Sequence, residues 1–592
     1  MKVLGISCYF HDAAAALISD GALVAAAQEE RFSRKKHDHD FPELAIDFCL
    51  NTAGIQSSDL DTVVFFENPF VKFERLLMTS MQMFPRSHKV FREAMITWMG
   101  DKLWIKGLIQ KRLKIPATRI LFSGHHLSHA ASAFLCSPFD ESAVLTIDGV
   151  GEWTTASIGI GRGNSIALLK EIRFPHSLGL LYSAFTAFLG FEVNEGEYKV
   201  MGMAPFGTPR YVGEVMKLLR LDDDGGFQLN MEYFTFPYST VKMYSEKFIE
   251  LFGSPRDPKL NFFTPSTGCP SYFGQKPENY DELGKLNQHF ADVAASIQAV
   301  TETVMVKMAL EAHRATGLKN LCMAGGVALN SVGNGKILKE SPFDRIYIQP
   351  AAGDDGGALG AALYGYHTVL DQPRKLVMEH AYWGEQHCTA DVEKFLRESH
   401  IRYERIDDEE ELLCRVVNAL TDGKVVGWSQ GRFEWGPRAL GNRSILADPR
   451  RAEMKDIVNT KIKFREPYRP FAPSVLVERA SEFFEIDEPE RRFPARFMLY
   501  VVKVKPDKKH LLPATTHVDG TARLQTVHRD LSPRYYRLIE KFGEATGVPV
   551  LLNTSFNLRG EPIVNRPREA FQTFSKSDMD LLVMENCLVY KS

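Results

Sequence analysis

No two of the eight cysteines (Cys8, Cys49, Cys136, Cys269, Cys322, Cys388, Cys414, Cys587) form a C-x-x-C pair, which excludes a zinc ribbon and a thioredoxin-type motif. Several sit in apolar runs, where a thiol acts as a small core residue, and the pattern suits a reducing cytoplasm. An excess of one charge is also missing: 71 Lys+Arg against 74 Asp+Glu leave a formal net charge of −3. A protein that coats nucleic acid is usually basic. No G-x-x-x-x-G-K-[ST] sequence occurs, so a P-loop is not expected. The N-terminus has no charged lead and apolar signal core, and Met1-Lys2-Val3-Leu4-Gly5-Ile6 enters a strand pattern at once. The longest apolar stretch, residues 178–191, is broken by Ser, Thr and Gly. It falls short of the ~20 residues that span a bilayer and is expected to be a core helix. A cytosolic protein with no membrane partner is therefore the expectation.

The 592 residues are 44% hydrophobic and 24% charged, as in folded globular chains. At roughly 100–200 residues per domain, at least two domains are expected. The pattern breaks around Gln372-Pro373-Arg374, which places domains at 1–375 and 376–592. Within the first, Val3–Cys8, Ala13–Ile18 and Ala22–Ala27 read as three strands, with Ser19-Asp20-Gly21 as a tight turn. Val144–Gly149, Thr154–Gly159 and Ile166–Leu169 repeat that plan, with Arg162-Gly163-Asn164 as the turn. An internal duplication of an α/β unit and a chance likeness of two meanders both fit. Phe290, Val293, Ile297, Val300, Val304 and Met308, three or four apart, predict a long helix closed by Gly317. Two Gly-rich strand-to-helix turns follow, at Gly325-Gly326 and Gly353–Gly360, of the kind that holds phosphate or nucleoside against backbone N–H groups. Gly159–Gly163 reads as a hairpin turn rather than a dinucleotide fingerprint.

The sharpest chemical signal is Gly124-His125-His126-Leu127-Ser128-His129-Ala130-Ala131. On a helix His125 and His129 share a face and can offer two imidazoles to one ion, although packed core histidines are the alternative. His126 points elsewhere. Asp354 and Asp355 are candidates for a carboxylate completing a two-His-one-carboxylate site, or for helix caps. His11-Asp12 follows the first strand, where an open α/β sheet binds ligands and a general base is useful; a surface turn is the other reading. Arg31–His37 (RFSRKKH) could meet an anion, but a solvated charge run is the commoner explanation. Beyond residue 430, Arg432, Arg438, Arg443, Lys461, Lys463, Arg465 and Arg469 are interleaved with Gly, Pro and aromatics. Fixed cations beside tight turns suit a polyphosphate, and an RNA or DNA surface is the weaker reading. Asn553-Thr554-Ser555 after a strand adds small polar donors.

These segments, with EERFSRKKH, IDGVGEW, GEYKVMGMAPFG, GGVALN, GDDGGALGAA, GPRALGNRSILADP, KFREPYRPFAPS and NTSFNLRGEPIV, resemble in order the motifs of the O-carbamoyltransferase family that includes nodulation and antibiotic-tailoring enzymes. The resemblance covers nearly the whole chain. It implies an α/β protein with a duplicated actin-like ATPase (Kae1-like) domain followed by a YrdC-like α/β domain. It also implies that ATP and carbamoyl phosphate give carbamoyl-adenylate and pyrophosphate in the second domain. The carbamoyl group then passes to a hydroxyl of a small acceptor in the first. By the same resemblance His125, His129 and Asp354 are the ligands of a divalent metal, Fe(II), with Mg accompanying ATP. His11 is the base, and Asp12, Lys36 and Asp148 line the acceptor and nucleotide pocket. Arg438, Lys463, Arg469, Arg523, Asn553 and Ser555 hold ATP and carbamoyl phosphate. A small hydroxylated molecule and a second copy of the chain are the partners expected, with no nucleic acid. The rivals are a threonylcarbamoyl-type tRNA modifier, disfavoured by net charge −3, and a nucleotide-sensing regulator without turnover.

Overall fold

The computed structural model describes every residue except 101, 271, 272, 274, 467 and 592. Pro467 of the KFREPYRP run, and three residues of the Pro-rich stretch 254–279, therefore lie outside the described residues.

Two five-stranded sheets repeat one plan. The first joins β1 (Lys2–Ser7), β2 (Ala14–Ser19), β3 (Ala22–Gln28), β4 (Thr62–Phe65) and β5 (Ile120–Phe122) in the order β3-β2-β1-β4-β5. The second joins β6 (Glu141–Ile147), β7 (Thr154–Arg162), β8 (Ser165–Arg173), β9 (Asn320–Ala324) and β10 (Arg345–Tyr347) in the order β10-β9-β6-β7-β8. In each, the first strand pairs antiparallel with the second and parallel with the fourth, as in Leu4↔Leu17 with Leu4↔Val63, and Leu145↔Ile158 with Met323↔Leu145. Chance does not give the same order and direction five strands deep, so the duplication stands on topology. Gly159 and Gly161 belong to β7 rather than to a turn; the turn is Gly163-Asn164. A Cβ at 161 would strike the Phe134 ring, so these glycines serve close packing.

Four helices position the site: α1 (Pro69–Gln82), α2 (His125–Phe134), α3 (Tyr280–Thr316) and α4 (Gly356–Leu363). Helix α2 follows β5 of the first sheet but packs on β6 and β9 of the second, whereas α4 follows β10 of the second sheet and packs on β1 and β2 of the first. The two halves thus exchange their closing helices. The approach is so close that a Cβ at Gly5 would collide with the Ala358 carbonyl, and one at Gly360 with the Ser128 carbonyl. Helix α3 runs from Asn279 to the left-handed cap Gly317, with Phe290, Val293, Ile297, Val300, Val304 and Met308 all buried as the periodicity predicts. It is long and apolar enough to cross a membrane by length and composition, yet most of its apolar window is buried inside the protein. Residues 178–188 form the expected core helix.

The C-terminal part centres on a mixed sheet of β11 (Glu404–Arg405), β12 (Val426–Ser429), β13 (Arg443–Ala447), β14 (Ala472–Leu476), β15 (Gln525–Val527), β16 (Val550–Ser555), β17 (Leu581–Met584) and β18 (Cys587–Tyr590). Their order is β11-β18-β17-β12-β13-β16-β14-β15. The RFSRKKH run joins this part to the first sheet instead of lying in solvent. Buried Arg31 donates to the Gly436 carbonyl at 2.7 Å, and Arg34 donates to the carbonyls of Ile563 and Pro562 at 2.7 and 2.8 Å. Backbone carbonyls facing across the junction satisfy cations that the sequence pattern left to water.

Candidate functional site

The polar residues of the N-terminal part converge because each follows the carboxyl end of a strand, where chain direction exposes it to the cleft. His11 and Asp12 follow β1, Glu67 follows β4, His125 follows β5 and Asp148 follows β6. His125 and His129, one turn apart on α2, aim their Nε2 atoms at the same point, 3.1 Å from one another. Asp354 Oδ1 lies 3.4 Å from His125 Nε2 and 3.3 Å from His129 Nε2, and Asp148 Oδ2 lies 3.3 Å from His125 Nε2. All four side chains are buried, with one donor atom from each inside a sphere of 4.8 Å separation. Asp355 is turned the other way: it caps α4 through Gly356 N at 3.0 Å and accepts from Gln28 at 2.5 Å. The two adjacent aspartates are thereby told apart by geometry.

Asp354 Oδ1 is buried and has no hydrogen-bond partner among the described residues. A buried carboxylate oxygen without a donor is costly, and two imidazoles with two carboxylates form a donor set suited to a divalent cation. The residues present therefore fit the metal that the family resemblance implies. Glu67 faces His125 from behind, 3.5 Å from its Nδ1, and is paired with Lys72 at 2.6 Å. His126 does leave the cluster, bonding Thr146 Oγ1 at 2.7 Å, and burial with the charges of His125 and His129 pulls it down to about 3.

Beside this cluster Asp12 lies between two imidazoles, 2.9 Å from His37 Nδ1 and 3.8 Å from His11 Nδ1. Burial alone would lower His11, but the neighbouring Asp12 carboxylate outweighs it and raises the ring to about 9. Lys36 forms an ion pair with Glu195.

Of the cations beyond residue 430, Arg438, Lys463, Arg465, Arg469 and Arg523 line a cavity, whereas Arg432 and Arg443 donate to backbone carbonyls and Lys461 is exposed, so these three do not join them. Lys463 Nζ is held by Ser555 O at 2.7 Å, Asn557 O at 2.9 Å and Asn557 Oδ1 at 2.6 Å. Burial, and then repulsion from Arg465, Arg469 and Lys36, holds this amine well below its usual value. Arg438 is lowered to about 10 by burial, and Arg523 falls well below its usual value through burial and the charges of Arg438, Arg465 and Arg469. Among the described residues the Nε atoms of Arg438 and Arg523 have no hydrogen-bond partner, and Arg469 stacks over the Tyr198 ring at 4.6 Å. Mutual repulsion among buried cations marks a site prepared for an anion. Asn553 lines the same cavity. Its amide donates to Gln525 Oε1 at 2.8 Å and Ser474 Oγ at 3.2 Å, so its N–H groups are engaged in the floor of the site.

One cavity of about 1150 Å³ is lined by His11, Asp12, Lys36, Asp148 and Asp354 at one end and by Arg438, Lys463, Arg469, Arg523, Asn553 and Ser555 at the other. Sequence reasoning missed Glu67 and Arg75. Glu67 carried a usable signal, its place just after a strand; Arg75 lies on a helix with no motif.

The N-terminal model of the carbamoyltransferases matches residues 2–363 and the C-terminal model matches residues 417–591. An uncharacterised protein of Synechocystis is 46% identical over all of this chain and 97% of its own. Nodulation protein NolNO of Sinorhizobium fredii is 39% identical over 98% of this chain and 79% of its own. The 3′-hydroxymethylcephem-O-carbamoyltransferase of Streptomyces clavuligerus is 36% identical over 42% of this chain and 44% of its own. With both of the family's models matched around one cavity that joins a histidine–aspartate cluster to a ring of cations, the chain belongs to the carbamoyltransferase family and is a transferase.

Proposed function

We propose that the protein is an ATP-dependent O-carbamoyltransferase acting on a hydroxyl of a small molecule. The observation that carries this reading is a cavity lined both by Asp148 and Asp354 of the buried cluster, with His11 and Asp12 beside them, and by the cations. In the cation-lined end, a YrdC-like domain over residues 376–592, water cleaves carbamoyl phosphate to carbamate and inorganic phosphate, and a carbamate oxygen then attacks the α-phosphorus of ATP. Pyrophosphate leaves and carbamoyl-adenylate forms. Arg438, Arg469, Arg523 and Lys463 stabilise the charge that gathers there. The mixed anhydride then crosses the cavity to the actin-like domain, residues 1–375, without meeting bulk water.

There the acceptor oxygen attacks the carbamoyl carbon, the bond to the AMP oxygen breaks, and AMP departs. His11 takes the hydroxyl proton, and Asp12 holds the resulting imidazolium. His125, His129 and Asp354, with Asp148 beside them, would hold a divalent cation, Fe(II) by the family resemblance, whose chemistry is that of a Lewis acid for the carbonyl and the adenylate oxygens. Asp148 accepts the backbone N–H of Gly326 at 2.8 Å and so fixes the Gly-rich turn that faces the nucleotide.

Mass spectrometry of reactions containing ATP, Mg, carbamoyl phosphate and a panel of polyols tests the proposal. A product heavier by one carbamoyl unit, formed with equimolar AMP, is expected. Absence of both a carbamoylated product and carbamoyl-dependent pyrophosphate release would overturn it.

A further inference from the structure

Helix α1 is amphipathic in the reverse sense. Lys72, Arg75, Thr79 and Ser80 face inward and are buried, whereas Phe70, Met78 and Met81 face outward and are 60%, 42% and 65% exposed. A helix that turns its cations toward the interior needs something polar there to meet them. Lys72 is accounted for: its ammonium pairs with Glu67 and lies 3.9 Å above the Phe10 ring. Arg75 is not.

Arg75 is only 5% exposed, yet it makes no hydrogen bond or ion pair among the described residues, and its Nε is buried without a partner. The two carboxylates whose charge reaches it are Glu67 and Glu152. Glu67 is committed to Lys72 and His125. Glu152 accepts the His125 backbone N–H through both oxygens, at 3.0 Å each, and the Asn68 N–H at 2.8 Å. The guanidinium lies over the Phe174 ring at 5.1 Å, and Arg75 lines the cavity beside Phe10, Leu76, Thr79 and Phe236. Burial lowers the group to about 10, which still leaves it charged at neutral pH.

A planar fork of donors, desolvated, unpaired and backed by an aromatic face, fits an oxyanion in bidentate fashion. We propose that Arg75 anchors an anionic group (a carboxylate, phosphate or sulfate) on the acceptor, so that the substrate is a hydroxylated acid whose body lies against Phe10, Phe174 and Phe236. The inference rests on the reading of this end of the cavity as the acceptor site.

Binding by calorimetry tests it without requiring turnover. The probes are glucuronate, glucose 6-phosphate, glucose 6-sulfate and 3-hydroxybenzoate, against glucose and 3-hydroxybenzamide as neutral counterparts. The wild-type protein should bind one class of anion about tenfold or more tightly than its counterpart, and which class does so identifies the oxyanion. Arg75→Gln should erase the preference, and Arg75→Lys, which keeps the charge without the fork, should keep part of it. Equal affinity for charged and neutral probes, or a preference that survives Arg75→Gln, overturns the proposal. An equal loss of ATP affinity in Arg75→Gln also overturns it, because the guanidinium would then serve the nucleotide. Absence of any carbamoyl transfer would refute the proposed reaction while leaving this binding preference standing or falling by itself.

Discussion

Asp354 Oδ1 stands 3.3 Å from His129 Nε2 and makes no hydrogen bond among the described residues. A carboxylate oxygen and an imidazole nitrogen, both buried, face each other across a gap that a cation would close. His129→Ala is therefore expected to abolish stoichiometric metal in elemental analysis and to slow carbamoyl transfer by about 10²-fold or more. Carbamoyl-dependent pyrophosphate release should continue. Glu67→Gln should weaken metal affinity roughly 10–100-fold, through loss of the carboxylate that faces His125.

The buried cations around Lys463 repel one another in the free protein, so a polyanion should stabilise the fold strongly. ATP or inorganic pyrophosphate at a hundredfold excess over Kd is expected to add about 2.7 kcal/mol, read as a rise in melting temperature. Arg523→Ala should lose most of that rise. Lys463→Ala should abolish pyrophosphate release, since the amine is the group held closest to Ser555 and Asn557.

His11 carries the pH dependence. Its folded value of about 9 lies above the ordinary imidazole value of 6.5. Its pairing with Asp12 therefore stabilises the fold fully below pH 6.5 and is lost as pH rises through 9. The neutral ring that accepts a proton grows over the same interval, so single-turnover carbamoyl transfer should climb between pH 7 and 9. In Asp12→Asn the main opponent of burial is removed, leaving Asp354 and Asn194, and the climb should move to lower pH. A profile indifferent to Asp12→Asn would remove His11 from the proton path.

How much of this was legible beforehand depends on how local each determinant is. The i, i+4 pair His125/His129, the turn at Gly163 and the buried stripe of α3 are set within a few residues, and the structure has them as the spacing predicts. The RFSRKKH run was read as more commonly solvated, because its partners, the carbonyls of Gly436, Pro562 and Ile563, lie some 400 to 530 residues away in sequence. The choice between Asp354 and Asp355 was likewise undecidable from adjacent letters, since it depends on which carboxylate reaches Gly356 N. Arg75 carried no signal because a cation on a helix is ordinarily assigned to solvent.

The Arg31 clasp offers a separate measurement. Arg31→Ala leaves the Gly436 carbonyl without its donor, at a cost of about 1–3 kcal/mol, and loosens the junction between the two ends of the cavity. Adenylate formation should persist while the anhydride escapes to water. The ratio of AMP formed to carbamoyl product should therefore rise well above one.

The crossed helices α2 and α4 carry a last consequence. Each completes the sheet of the opposite half, and the backbones touch at Gly360 and Ser128 with no room for a methyl group. Neither half has a finished interior until residue 363 has been synthesised, so fragments ending earlier should stay bound to chaperones or be degraded. Any evolutionary separation of the two repeats would first have required each to grow a helix of its own.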